Sequence, residues 1–212
     1  MQWWQILLWV VFGMVFGILF IHSVIIRIIR KIWKFPIPAF AVTLIEGPHR
    51  RRFQPPELVM KWMGVKPGMK VLELGPGAGA FTFPVAEVAS DVHCIDIQPK
   101  VVEIMNTRVV ERGFTNIFPV EANAYNLPFE DKTFDLVFHV ACLPEIPDPV
   151  RVLKEVRRVL KDDGIYADSE LLPDPDYPLA STVLSWATKA GLTKISANGN
   201  GLHYVLCFRK KN

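Results

Sequence analysis

Apolar and polar positions divide this chain into two unequal parts. From Trp3 to Ile26 there are 24 residues without a formal charge, and only Gln5, His22 and Ser23 are clearly polar. At about 1.5 Å per residue such a run spans a bilayer core of roughly 30 Å, so the pattern predicts one transmembrane helix. Arg27, Arg30, Lys31 and Lys34 follow it, with Ile28, Ile29, Ile32 and Trp33 on one helical face. That arrangement suits a helix continuing at the level of anionic headgroups, or simply the end of the span. Phe35-Pro36-Ile37-Pro38 stops the helix, because two prolines at that spacing disfavour continuation.

Beyond residue 54 the period changes. Pro55-Pro56-Glu57 opens a helix that runs to about Gly64. Short apolar runs then alternate with helical spacing. Strands are expected at 71–74, 91–96, 116–121, 134–139 and 165–170, and helices at 81–88, 100–112, 150–160 and 179–190. Segments 193–198 and 202–209 flank Gly199-Asn200-Gly201, a hairpin signal. Seven strands in this order predict an α/β fold: a Rossmann-like, mostly parallel sheet with an antiparallel C-terminal hairpin, preceded by one transmembrane helix. The expected units are 1–34 (membrane helix and basic flank), 35–54 (connector and candidate substrate cover) and 55–212 (the α/β domain).

Charge sharpens the membrane reading. The positives follow the apolar run and no small-residue cleavage site is present, which argues for an anchor over a cleaved signal. By the positive-inside rule the N-terminus lies outside and the rest is cytoplasmic. The net charge of +3 comes from this flank: four basic and no acidic side chains precede residue 35, leaving 20 basic against 21 acidic for the rest, net −1. Such a body has no basic stripe for nucleic acid. Cys94, Cys142 and Cys207 show neither pairing nor metal spacing, and metal ligands at recognisable spacing are absent elsewhere. Gly13 and Gly17 form a pair that can bring two membrane helices together as a homodimer. Arg50, Arg51 and Arg52 in the connector suit lipid phosphate or a solvated face equally.

The chemistry gathers at Val71-Leu72-Glu73-Leu74-Gly75-Pro76-Gly77-Ala78-Gly79-Ala80-Phe81. A strand breaking into a glycine turn and then a helix offers backbone N–H groups and a close approach that a Cβ would block. This is a cofactor cradle. Gly75, Gly77 and Ala80 satisfy the loose dinucleotide fingerprint, which leaves a nicotinamide oxidoreductase open. Glu73 and the third glycine, Gly79, point elsewhere, since a carboxylate there suits a cofactor with a cationic amine and a sulfonium. Asp96, 21 residues after Gly75, ends the second strand where a carboxylate can accept from ribose hydroxyls, and Ile97 offers the adenine an apolar wall.

Glu-x-Gly-x-Gly-x-Gly resembles the first motif of class I S-adenosylmethionine-dependent methyltransferases. Val120-Glu121-Ala122-Asn123-Ala124-Tyr125-Asn126-Leu127-Pro128-Phe129 and Ile146-Pro147-Asp148-Pro149 are similar to stretches of the ubiquinone and menaquinone C-methyltransferases. The resemblance covers roughly residues 55–170. It implies S-adenosylmethionine as cofactor, with Glu73, Gly75, Gly77, Gly79, Asp96, Ile97, Asn123, Ala124 and His139 around it. Asn123 stands where the family usually has aspartate, and its carbonyl can still accept from the adenine amino group. Pro144-Glu145 replaces a histidine pair, which makes Glu145 the candidate base in that loop. His139, ending the fourth strand, is a candidate for catalysis, cofactor positioning, substrate contact or packing.

Between the fifth strand and the next helix there is no room for the lid that larger methyltransferases insert. A minimal lid beside a membrane anchor predicts a lipid or lipid-like acceptor, such as a phospholipid amine or an isoprenoid quinol. A soluble acceptor with a purely locational anchor and a non-catalytic membrane scaffold are the alternatives.

Overall fold

Short β-branched runs bounded by glycine and aspartate build the sheet at the centre of the molecule. The computed structural model describes residues 2–45, 47–172 and 174–211, without the side chains at 18, 19, 22, 23, 31, 43–45, 48 and 49. In chain order the elements are α1 (Trp3–Ile32), α2 (Ala39–Ile45), α3 (Pro48–Phe53), α4 (Pro56–Met63), β1 (Lys70–Leu74), α5 (Thr82–Ala86), β2 (Asp91–Asp96), α6 (Pro99–Arg112), β3 (Ile117–Glu121), β4 (Phe134–Val140), α7 (Pro149–Val159), β5 (Leu160–Leu171), α8 (Ala180–Lys189), β6 (Leu192–Gly199) and β7 (His203–Lys210).

The seven strands form one sheet in the order β3-β2-β1-β4-β5-β7-β6. β1 to β5 are parallel, and β7 runs antiparallel between β5 and β6. Both faces are covered, so Val71, Leu72, Val92, Leu136 and Val137 have no exposed surface. One face packs Val59 and Met63 of α4, Val85 of α5 and Met105 of α6. The other packs Leu153 and Val156 of α7 and Val183 and Ala187 of α8. Strand order reverses beside β1, and a crevice opens at the carboxyl ends of the strands there.

Three expectations need correction. The glycine turn leads into α5, which is only five residues long, so little helix dipole is available there. The fifth strand starts at Leu160, directly after α7, because Leu160 pairs with Phe134 across an irregularity and Lys161 reaches Asp135 at 2.7 Å. The expected transmembrane helix over 1–34 is not found: among the described residues no helix is long and apolar enough to cross a membrane. Four positions inside α1 (18, 19, 22 and 23) lie outside the described side chains.

The cations after the apolar run also behave differently. Arg27 donates to the Leu172 carbonyl at 2.7 Å. Arg30 is buried, paired with Asp176 and, at 3.1 Å, with Glu145. Lys34 meets Asp176 at 3.0 Å. These contacts dock the flank of α1 onto the α/β domain, and the Lys31 side chain is outside the described set. The ideal Cβ positions at Gly13 and Gly17 meet nothing within 4 Å.

Candidate active site

The crevice is walled by the β1 turn, the end of β2, the loops after β3 and β4, and the connector between α1 and α3. Gly75 (φ +67°) and Gly77 (φ +57°) both lie in the left-handed region that favours glycine. A Cβ at Gly75 would come within 2.4 Å of Cys142 Sγ, from the loop after β4. Ala141, beside it, holds φ +55° without being glycine, and its N–H donates to the Ser169 carbonyl at 2.9 Å. Two parallel strands thus end in strained turns that touch each other, a common condition of functional sites.

Glu73 is buried and lines the crevice, accepting from Thr82 Oγ1 at 2.5 Å. Asp96 Oδ1 accepts from the Gln98 N–H at 2.9 Å. Burial raises the Asp96 carboxyl above its ordinary range, against the pull of the Gln98 and Ile97 N–H groups. Ile97 is exposed on the same wall, and Asn123 and Ala124 face it from the loop after β3. Asn123 Oδ1 already accepts from the Tyr125 N–H at 2.9 Å, which leaves one lone pair for a ligand.

Two sequence-predicted cofactor residues do not reach the crevice. Gly79 faces inward, where a Cβ would meet the Phe83 ring at 2.4 Å, so its glycine is a packing requirement. His139 is fully buried below the crevice floor. Its Nε2 lies 3.0 Å from Asp168 Oδ2 and 2.9 Å from the Tyr166 hydroxyl. His139 pairs with Asp168 across β4 and β5, and its side chain is buried on the covered face of the sheet.

Glu145 does line the crevice, but its carboxylate is engaged. Oε2 accepts from the Ile37 N–H at 3.1 Å and Oε1 meets Arg30. Burial outweighs the Arg30 charge and pushes the Glu145 carboxyl up to about 8. Ile37 is held a second time by Gln98 Nε2, which donates to its carbonyl at 3.0 Å. Val42 then packs against Ala78 and Val101, so residues 35–42 lie across the crevice as a strap. Arg50 also lines the crevice, with its guanidinium 5.8 Å from the Phe81 ring centroid, whereas Arg51 and Arg52 are exposed.

The two later motifs turn out to brace the crevice wall. Arg158 donates to the carbonyls of Leu127 and Phe129 at 2.9 and 2.7 Å, and Glu155 accepts from the Leu127 N–H at 3.0 Å. Asp148 caps α7 through the Arg151 N–H at 3.0 Å, while its own N–H donates to the Tyr125 hydroxyl at 2.9 Å. Their spacing along the chain gives no hint of this mutual support.

Comparison with known proteins agrees with the crevice. Residues 72–167 match the methyltransferase-domain family. The chain is 35% identical over 118 residues to a demethylmenaquinone methyltransferase of Geobacillus sp. (strain WCH70), covering 54% of this chain and 50% of that one. It is 32% identical over 107 residues to a sterol 4-C-methyltransferase of Caenorhabditis elegans, covering 50% of this chain and 32% of the other. The crystal structure of a SAM dependent methyltransferase from Aquifex aeolicus shares the fold, with a TM-score of 0.76 at 23% identity over 82% of this chain and 98% of that one. This chain spans about half the length of the curated relatives it matches. The matched family and the shared fold imply S-adenosylmethionine as the cofactor rather than a nicotinamide.

Proposed function

We propose that this chain moves the methyl group of S-adenosylmethionine to a lipid-like acceptor, with an isoprenoid quinol the foremost candidate. The observation that carries the proposal is the apolar strap of Phe35, Pro36, Ile37 and Val42 along one wall of the crevice, opposite Gly75, Gly77 and Asp96. A lid that offers carbon surface rather than charge suits an apolar acceptor. Demethylmenaquinone methyltransferases are among the relatives that match about half of this chain, which favours a quinol over a phospholipid amine.

When bound, the cofactor supplies an already activated methyl group, so the main work of the chain is alignment and exclusion of water. Asp96 would accept from the ribose hydroxyls, Ile97 and Ala124 would flank the adenine with Asn123 Oδ1 at its edge, and Glu73 would face the cationic amine. Gly75 and Gly77 let the backbone approach closely. The strap keeps water out. Glu145, near 8, is the crevice group suited to take a proton from a quinol close to neutral pH, once Ile37 releases it.

The same reading sets α1 against a bilayer. Trp3, Trp9, Phe12, Phe16 and Phe20 are exposed along it, a larger contiguous apolar surface than a free helix leaves to water. Flotation of the full chain with phosphatidylethanolamine/phosphatidylglycerol vesicles tests this; a chain that stays in the dense fraction overturns it.

The acceptor is tested by transfer from methyl-labelled S-adenosylmethionine to a membrane extract, counted in organic, aqueous and protein fractions. Label in the organic phase, lost with Asp96→Ala, is expected. Label only in the aqueous or protein fraction leaves a methyltransferase but removes the lipid acceptor. No label in any fraction with cofactor bound supports the scaffold alternative.

A further inference from the structure

Below the crevice floor, three groups far apart in sequence meet inside an apolar layer. His139 ends β4, and Asp168 and Glu170 lie on β5, on the same face because strand side chains alternate. All three have no exposed surface. One donor atom from each lies within 4.8 Å of the others. Asp168 Oδ1 and both oxygens of Glu170 have no hydrogen-bond partner among the described residues. Leu143, Val183 and Leu206 belong to the cluster packed on this face, and the Tyr166 hydroxyl reaches Asp168 Oδ2. Buried carboxylates are ordinarily paired, hydrogen-bonded or bound to a cation.

We propose that His139, Asp168 and Glu170 form a buried binding site for one divalent first-row transition-metal cation. The distances favour an ion over the alternatives. His139 Nδ1 lies 4.0 Å from Glu170 Oε1, too far for a hydrogen bond. It matches two ligands on opposite sides of an ion with bonds of about 2.0–2.2 Å each. The far side of the imidazole is already arranged for this. With its proton on Nε2, the ring donates to Asp168 Oδ2, which also accepts from the Tyr166 hydroxyl at 3.1 Å. That leaves the Nδ1 lone pair facing Glu170, and Asp168 Oδ1 as the third donor. The Cys142 N–H approaches Nδ1 only at 3.5 Å, the outer limit of a hydrogen bond.

A proton shared between the carboxyls satisfies one oxygen of each and leaves the second Glu170 oxygen, and the Nδ1 lone pair, without a close partner. Arg50, the nearest guanidinium with an electrostatic pull on Glu170, makes its hydrogen bond to Gln54 instead, at 3.4 Å. A divalent cation answers the ring nitrogen and both carboxylates together. One nitrogen and two carboxylate donors suit manganese, iron or zinc better than a thiolate-seeking ion. The site is distinct from the cofactor wall, since none of the three residues lines the crevice. It ties β4 to β5 immediately below Ala141, the strained residue on the crevice floor.

The test uses the purified full chain. Its metal content is measured by plasma mass spectrometry as isolated, then after chelator treatment and separate dialysis against Zn²⁺ and Mn²⁺. About one ion per chain is expected, with a higher melting temperature for the loaded protein. Glu170→Gln, nearly identical in shape, is expected to lower affinity at least about 10-fold while the circular dichroism spectrum is unchanged. Should Glu170→Gln fail to fold, Asp168→Asn and His139→Gln serve the same comparison. Less than a tenth of an ion per chain under every loading condition, or equal affinity in wild type and folded variants, overturns the site.

Discussion

The Arg30 guanidinium, near the end of α1, lies 3.1 Å from Glu145 Oε1 in the loop after β4, across 115 residues of chain. Asp176 holds the same guanidinium from the loop before α8. One arginine therefore ties the N-terminal helix to the loop after β4, which borders the crevice, and to the loop before α8.

Replacing Arg30 by alanine leaves Glu145 and Asp176 buried with one fewer cation. Removing one partner of a buried pair costs about 3–5 kcal/mol, so Arg30→Ala is expected to destabilise the chain at the lower end of that range. Lys34 still answers Asp176, which limits the loss. Denaturant unfolding reads the stability. Limited proteolysis is expected to cut first between residues 34 and 54, and protection equal to wild type would show that the strap does not depend on Arg30.

Glu145 has a folded pKa near 8, above its ordinary 4.5. Between those values the folded chain binds more protons than the unfolded one, so stability falls as pH rises from about 4.5 to about 8. Asp96 and Asp174 are also raised by burial and act in the same direction. Thermal melts across this window are expected to show a shallower slope for Glu145→Gln than for wild type. An unchanged slope would mean that Glu145 is ionised in the folded chain.

Gly75→Ala meets two obstacles, a left-handed φ of +67° and the Cys142 sulfur. The backbone alone costs about 1–2 kcal/mol. The double variant Gly75→Ala/Cys142→Ala is expected to recover the steric part of the loss and not the backbone part. Melting temperatures of the single and double variants separate the two, and full recovery would deny the backbone contribution.

Asp96→Ala is expected to weaken S-adenosylmethionine binding about 10- to 100-fold, the range for hydrogen bonds to a charged group. Its melting temperature should change little, because the Asp96 carboxylate meets the N–H groups of its chain neighbours Gln98 and Ile97. Titration calorimetry measures the affinity; wild-type affinity would remove Asp96 from the cofactor wall.

Arg158 braces the Leu127–Phe129 loop through two carbonyls. Arg158→Ala is expected to weaken cofactor binding indirectly, by loosening the wall that carries Asn123, with Arg158→Lys recovering only part. Hydrogen exchange at residues 122–130 should rise in the alanine variant. Unchanged protection there would show that Glu155 suffices.

Most of the architecture is legible along the chain because it rests on local rules. The short apolar run of β1, the glycines after Leu74 and the hairpin at Gly199-Asn200-Gly201 each state their conformation within a few residues. Asp96 and Glu73 are legible for the same reason, since strand ends beside a glycine turn face the crevice whatever the rest of the chain does. Gly79 and His139 lie away from the crevice lining. Whether a glycine serves a ligand or a neighbouring ring depends on Phe83, and where a histidine at a strand end points depends on the β4–β5 register. The destinations of Arg27, Arg30 and Lys34 were equally invisible, because their partners at Leu172, Asp176 and Glu145 are more than 100 residues away. Sequence by itself determined the sheet, the cradle and the cofactor class, all set by short-range backbone preference and residue chemistry. Only the tertiary structure decided the strap across the crevice, the docking of the basic flank and the buried His139–Asp168–Glu170 cluster, because long-range burial sets which charges meet and which stay in water.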